Sequence, residues 1–223
     1  MDPRFPFTTY DFWAYLASGF LLLFVADYVF ETELLTRDSW TVVQGVVAVS
    51  CAYVVGQLVA SLSSVVFERG LVGRLLGPPR TVLFGQCKAC AGARYLLPGF
   101  FIALPAETQK AALDKGTAVG VSSPGEALFW SAFAHARSTP AVMARLDSFL
   151  NQYGFCRNIA MVALLDAGLL AWSYLGADGP VLNGQLAILA LLTSFGMTLR
   201  YLKFYRHYAV EVFTAYAYSK AEN

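Results

Sequence analysis

Charged side chains are scarce in this sequence, because they make up only 14% of its 223 residues. Soluble domains typically carry about 25% charged residues. Apolar residues fill the difference, at 57% of the chain and a mean hydropathy of +0.53. This composition excludes an ordinary soluble domain and predicts an integral membrane protein.

Histidine and cysteine are also few, with two and four copies respectively. The sequence contains no P-loop, no G-x-S-x-G and no H-E-x-x-H motif, so the common signatures of nucleotide, serine-hydrolase and zinc-protease chemistry are missing. We therefore expect a protein that is not an enzyme and that takes no cofactor. A nucleic-acid partner is not expected either.

What the sequence does have is long apolar runs. A helix needs about 20 mainly apolar residues to cross a bilayer. Four windows qualify, at residues 12–30, 40–67, 158–175 and 181–199. The second window is longer than one crossing requires, so its helix should tilt or run on beyond the membrane. The first is too long for the core of a signal peptide, contains Asp27 and lacks a cleavage site, which predicts a retained helix.

The distribution of positive charge predicts an orientation. Of the sixteen Lys and Arg residues, only Arg37 lies in the two short loops that join the first window to the second and the third to the fourth. The others precede residue 12, fall within 68–157 or follow residue 199. Cytoplasmic loops are enriched in Lys and Arg. Both termini and the long central segment are therefore predicted to lie in the cytoplasm, with the protein in the inner (plasma) membrane.

The resulting fold class is an all-α polytopic membrane protein. Its four transmembrane helices form two hairpins, within residues 1–67 and 158–199. A mainly helical cytoplasmic domain of about 90 residues, 68–157, is inserted between helices 2 and 3. Residues 200–223 are predicted to form a cytoplasmic helix that extends helix 4. No internal repeat is visible, which weakens an inverted-repeat transporter interpretation.

Start signals predict three helices in the cytoplasmic domain. They are expected to begin at Pro105, Pro124 and Pro140, with Ser123 as the N-cap before Pro124, because proline is favoured in the first turn of a helix. Gly154 is expected to interrupt the chain before the third window. Two apolar runs between residues 80 and 105 are too short for periodicity to decide between short strands and re-entrant segments.

A stripe of small residues recurs at every fourth position of the second window. Such a stripe lets two helix backbones approach closely in a membrane. The stripe could pack against another helix of the same chain or against another subunit of a homo-oligomer. Packing within the chain is the favoured interpretation. The stripe consists of Ala48, Ala52, Gly56, Ala60 and Ser64.

Asp166 is the one ionisable residue near the middle of a predicted span. It lies eight residues into the third helix, or about 12 Å at 1.5 Å per residue. Gln57 lies at a similar depth on the second helix, while Asp27 and Gln44 share a level nearer the outer surface. These depths predict two polar layers, Asp166 with Gln57 and Asp27 with Gln44.

Two interpretations of Asp166 are open, because a charge within hydrocarbon is costly and no window contains Lys, Arg or His. In the first, which is slightly favoured, a dry carboxyl hydrogen-bonds Gln57 as a structural strut. In the second, the carboxyl faces water, and acidic side chains from several subunits line a cation path. Asp27 and Gln44 are weaker pore candidates.

The C-terminal helix begins with a basic cluster, Arg200, Lys203, Arg206 and His207. Basic residues at this level can bind anionic headgroups, each with about 1 kcal/mol. Arg200 and His207 also have a spacing similar to the Arg-to-His spacing of HEPN ribonucleases, which implies phosphodiester cleavage at the cytoplasmic face. Tyr201 stands where that family often has a polar residue, and the headgroup anchor is the favoured interpretation.

Four residues are weak candidates for a structural zinc site. Cys87 and Cys90 form a C-x-x-C pair, and zinc sites take four such ligands. His135 and Cys156 lack the spacing of a second ligand pair. Unligated thiols are therefore favoured, and no metal is expected.

The favoured functional hypothesis is a bacterial-type inner-membrane protein that self-associates. Its partners would be the lipid bilayer, further copies of the chain and a cytoplasmic protein. The cytoplasmic domain would receive a partner or signal, and the membrane part would open a cation path or perturb the bilayer. Channel subunits and membrane effectors of anti-phage systems share this architecture by analogy. The alternatives are a passive membrane anchor or scaffold, and a membrane-bound enzyme built on Arg200 and His207.

Overall fold

The computed structural model describes residues 11–37, 39–86, 91–176 and 179–219. Of the described residues, 82% are helical and none lies in a strand. The all-helical expectation is therefore confirmed. The helices are α1 (Ala17–Phe30), α2 (Val42–Ser63), α3 (Pro79–Val82), α4 (Ala91–Leu96), α5 (Ala106–Ala118), α6 (Glu126–Arg137), α7 (Pro140–Tyr174) and α8 (Val181–Tyr218).

Wider or tighter helical turns extend several of these elements. π-helical turns cover Asp11–Leu16 before α1 and Ser64–Leu76 after α2, and a 3₁₀ turn covers Pro98–Phe100. The two apolar runs between residues 80 and 105 are thus helical only in part, in α3 and in the 3₁₀ turn. One backbone hydrogen bond joins them, from Leu104 N to Leu83 O at 2.9 Å.

Within the described part of the chain, three helical segments are long and apolar enough to cross a membrane. They are Val42–Val82, Pro140–Tyr174 and Val181–Tyr218. Ala14–Phe30, in the first predicted window, is a shorter apolar helix. These lengths and compositions are compatible with a membrane protein.

Two local expectations were wrong. α7 runs without a break from Pro140 through Gly154, because one glycine weakens a helix by only about 1 kcal/mol and does not end it. α6 begins at Glu126 after Gly125, whose φ of 145° suits glycine, so Pro124 lies outside the helix.

The chain divides into two compact units, each built from two stretches of sequence. The first unit comprises Met1–Phe67 and Gly154–Tyr201. The second comprises Glu68–Tyr153 and Leu202–Asn223.

In the first unit, α7 is the central helix. In the most apolar part of the segment that contains α7, 61% of the residues are buried. The corresponding share is 17% for the segment that begins with α2 and for α8. Large apolar side chains on α2 and α8 are accordingly exposed, such as Val43 (73%) and Leu192 (63%). α7 therefore supplies the interior of the unit, while α2 and α8 present apolar outer faces.

The second unit has its own apolar core, formed by α5, α6 and the ends of α7 and α8 that belong to this unit. Phe213 of α8 lies at its centre, with ring centroids 5.0 Å from Phe84 and 5.9 Å from Phe129. Lys115 of α5 closes the end of α8, since its Nζ donates to Tyr216 O at 2.9 Å and to Ser219 Oγ at 2.7 Å. The C-terminal helix is thus part of this unit's core.

Candidate functional site

Asp166 lies on the central helix of the first unit and is only 7% exposed. Its Oδ1 atom has no hydrogen-bond partner among the described residues. Gln57 bonds within its own helix instead, since its Nε2 donates to Tyr53 Oη at 3.1 Å. The expected hydrogen bond between Asp166 and Gln57 is therefore not formed, because the Gln57 side chain finds a partner one turn away.

The Asp166 side chain borders an apolar cleft between α1, α7 and α8. The cleft has a volume of about 500 Å³. We call it the Asp166 cleft. Its lining consists of Leu21, Phe24, Val25, Tyr28, Ile159, Val162, Ala163, Asp166, Leu170, Leu182, Leu186, Leu189, Ala190 and Thr193.

Three polar side chains reach this cleft, and two of them have partners. Tyr28 Oη donates to Asn183 Oδ1 at 2.9 Å. Thr193 Oγ1 donates to Leu189 O at 2.9 Å within its own helix. Among these three side chains, only Asp166 has a polar atom, Oδ1, that is buried and has no hydrogen-bond partner in the described part of the chain.

Asp27 has a different environment, because its carboxylate organises the loop that follows α1. Its two oxygens accept backbone N–H groups from Leu34 at 2.7 Å and Leu35 at 3.0 Å, and the hydroxyls of Thr32 and Thr36 also donate to it. This carboxylate is fully occupied by local donors. Its geometry is that of a loop-closing residue rather than of a pore-lining one.

Gln44 caps the start of α2. Its Oε1 accepts from Thr41 N at 2.9 Å, and Thr41 Oγ1 accepts from Gln44 N at 3.3 Å, which is a capping box. Gln44 and Asp27 both line a groove of about 440 Å³, but they form no hydrogen bond with each other. The second polar layer is therefore not a bonded pair either.

Three residues of the small-residue stripe, Ala52, Gly56 and Ala60, are buried. A Cβ added at Gly56 would lie 1.9 Å from Tyr15 O, and one added at Gly19 would lie 1.8 Å from Ala52 O. The stripe thus packs α2 against α1 and the turn before it. Ala48 and Ser64, at its two ends, are partly exposed.

The basic cluster is divided among several environments. Arg206 Nη2 donates to Ile102 O at 2.8 Å, and the His207 ring stacks on Phe149 with centroids 5.9 Å apart. Burial lowers the pKa of His207, and the positive charges of Arg206 and Lys203 act in the same direction. Lys203 is exposed.

Arg200 contacts the buried thiol of Cys156 through a hydrogen bond. The members of the cluster therefore have different surroundings. The headgroup and HEPN interpretations both stay predictions. Lys203 retains the exposure that headgroup contact needs.

The zinc interpretation falls partly outside the described residues, because these do not include Cys87 and Cys90. Within the described part of the chain, no group of three or more possible metal ligands is found. His135 lies beside the Tyr216 ring, with centroids 6.0 Å apart.

Two buried asparagines join helices in ways that the depth argument missed. Asn158 Nδ2 donates to Ala14 O at 3.1 Å, and its Oδ1 accepts from Ser63 Oγ at 2.8 Å. Asn183 accepts from Tyr28 and donates to Ser173 Oγ at 2.9 Å. The polar run at residues 151–158 is a sequence signal for a helix junction that includes Asn158. Only the general rarity of buried amides could have indicated Asn183.

Comparisons with protein-family models, curated proteins and solved structures give no match. Function must therefore be argued from geometry. The Asp166 cleft places a carboxyl group in apolar surroundings. The Oδ1 atom of that carboxyl could accept a hydrogen bond or bind a cation.

Proposed function

We propose that this chain is a four-span membrane protein whose membrane unit admits cations at Asp166 under the influence of its cytoplasmic unit. The observation that carries the proposal is the buried Asp166 Oδ1 atom, which borders a cleft and lacks a partner. A structural strut would require a hydrogen bond from that carboxyl to a neighbouring helix. The Asp166 carboxyl is instead available to a cation.

Membrane placement is supported by the outer faces of the first unit. Side chains such as Val46 (62% exposed), Leu58 (66%) and Phe195 (64%) stand on helices long enough to span. Soluble proteins rarely expose contiguous apolar patches of this kind. Lys and Arg are scarce in the two short loops, where only Arg37 is found. This distribution supports cytoplasmic termini and a cytoplasmic second unit.

Coupling between a cytoplasmic signal and the membrane response is supported by chain connectivity. α7 and α8 each contribute residues to both units, since the unit boundaries fall at Gly154 and after Tyr201. A partner that binds the second unit thus acts on helices that also form the Asp166 cleft. Self-association, with copies side by side in the membrane, belongs to the same proposal.

The test is potassium release from lipid vesicles that contain the purified chain. We expect Asp166→Asn to slow release at least about tenfold, which corresponds to about 1.4 kcal/mol of lost attraction for the cation. Gln57→Leu is the matched control, because Gln57 lies at similar depth but bonds Tyr53 outside the cleft. Equal rates for the wild type and Asp166→Asn, with both folded, would favour a passive anchor instead.

A further inference from the structure

The Asp166 cleft has the features of a small-molecule site as well as of a cation path. Ligand sites of this kind have volumes of about 300–1,000 Å³, are mostly apolar and contain a few placed polar groups. The cleft has a volume of about 500 Å³, and its lining is apolar apart from Asp166, Tyr28 and Thr193.

The charge balance of the site selects the kind of ligand. None of the apolar windows that supply its walls contains Lys, Arg or His, so an ionised Asp166 has no cationic side chain beside it there. A carboxylate buried without a partner is costly, and the arrival of a positive charge removes that cost. A cation that also donates a hydrogen bond would satisfy Oδ1.

The walls argue for a ligand with an apolar body. Divalent ions such as Ca²⁺ and Mg²⁺ are held by several oxygen ligands. Asp166 supplies the cleft's only carboxylate, while the hydroxyls of Tyr28 and Thr193 donate elsewhere. Side chains such as Leu170 and Leu186 would instead cover an alkyl or aromatic group.

We propose that the Asp166 cleft binds an amphiphilic organic cation, in which a primary ammonium pairs with Asp166 and an alkyl or aromatic body fills the space between α1, α7 and α8. The inference rests on the proposed function for placing Asp166 within the membrane. Such a ligand occupies the position that a permeating cation would pass, so it acts on the proposed path as a blocker.

The experiment measures binding of radiolabelled decylamine to the full chain in phosphatidylcholine nanodiscs at neutral pH, with empty nanodiscs subtracted. We expect saturable binding that Asp166→Asn weakens at least about tenfold, in keeping with the loss of one partner of a buried ion pair. Decanol, which has the same alkyl chain without the charge, is expected to bind both proteins equally weakly.

A second variant tests the location. Ala190→Phe fills part of the cleft and leaves the carboxyl in place. We expect it to reduce decylamine binding as strongly as Asp166→Asn does. Unchanged binding in Ala190→Phe would overturn the location, and equal decylamine binding by the wild type and Asp166→Asn would overturn the pairing.

Binding is measured without ion flux, so the two proposals fail separately. Decylamine binding that depends on Asp166, in a protein that releases no potassium, upholds the ligand site and overturns the cation path. Potassium release that depends on Asp166, without saturable decylamine binding, upholds the path and overturns the ligand site.

Discussion

At the scale of single residues, buried polar groups in the first unit fall into two kinds. Asp27, Asn158 and Asn183 make hydrogen bonds that join one segment to another. Asp166 Oδ1 makes none among the described residues. A buried polar group without a partner costs free energy, and an ionisable residue within a membrane is by default a functional-site hypothesis.

Asn158 is expected to be the most sensitive of the structural amides. Asn158→Leu keeps the number and branching of the side-chain heavy atoms but removes the hydrogen bonds to Ala14 O and Ser63 Oγ. The loss should be about 0.5–1.5 kcal/mol for each of these two hydrogen bonds, because Ala14 O also accepts from Ser18 Oγ and Ser63 Oγ also donates to Ala60 O. The check is the thermal unfolding midpoint of the purified chain in detergent.

Asn151→Leu provides the matched control for this substitution. Asn151 lies on the same helix, two turns before Asn158, and is partly exposed. We expect its unfolding midpoint to stay close to that of the wild type. If both variants unfold alike, Asn158 does not hold the junction.

At the scale of elements, the contact between α1 and α2 depends on glycine. Gly19 lies against Ala52 O, and Gly56 lies against Tyr15 O, so each helix brings a glycine to the backbone of the other segment. Close backbone approach of this kind drives helix association where lipid removes the hydrophobic contribution.

Two glycines of α2 should respond to alanine with opposite signs. Gly56→Ala places a methyl group within 2 Å of Tyr15 O and should destabilise the chain by about 1–3 kcal/mol, as overpacking does. A Cβ at Gly45 meets nothing within 4 Å, so Gly45→Ala should leave stability unchanged or raise it by up to about 1 kcal/mol. Unfolding midpoints of the two variants in detergent decide the point. A tolerated Gly56→Ala would contradict the close packing.

Sequence patterns predicted the helical class and the positions of the long apolar helices, because hydropathy and proline punctuation are local signals. The failures came where a side chain had a choice of partners. Gln57 bonds Tyr53 and Gln44 bonds Thr41, and both are neighbours in sequence that a comparison of depths does not consider. Gly154 shows the same limit, because burial within a long helix outweighs its weak propensity.

The Asp166 cleft was beyond prediction from sequence for a similar reason. Depth alone placed Asp166 near a midplane but gave no information on which helices face it. The cleft arises from residues of three helices that are far apart in the chain, such as Phe24, Asp166 and Leu186. Pairing of that kind is set by packing and leaves no periodic signature in one helix.

At the scale of the whole molecule, the chain divides into two compact units. The first unit holds the long apolar faces and the Asp166 cleft, and the second has a separate core around Phe213. In our proposal the second unit receives a cytoplasmic partner, and the first responds in the membrane. Our central proposal is that the Asp166 carboxyl attracts cations into the membrane unit.

That claim is tested most directly by the reversal potential of the current that the purified chain carries across a planar bilayer under a potassium chloride gradient. The account predicts a potential near the potassium equilibrium value for the wild type. For Asp166→Asn it predicts a shift toward zero, because the carboxyl that attracts the cation is gone. Identical reversal potentials for the wild type and Asp166→Asn would contradict the account.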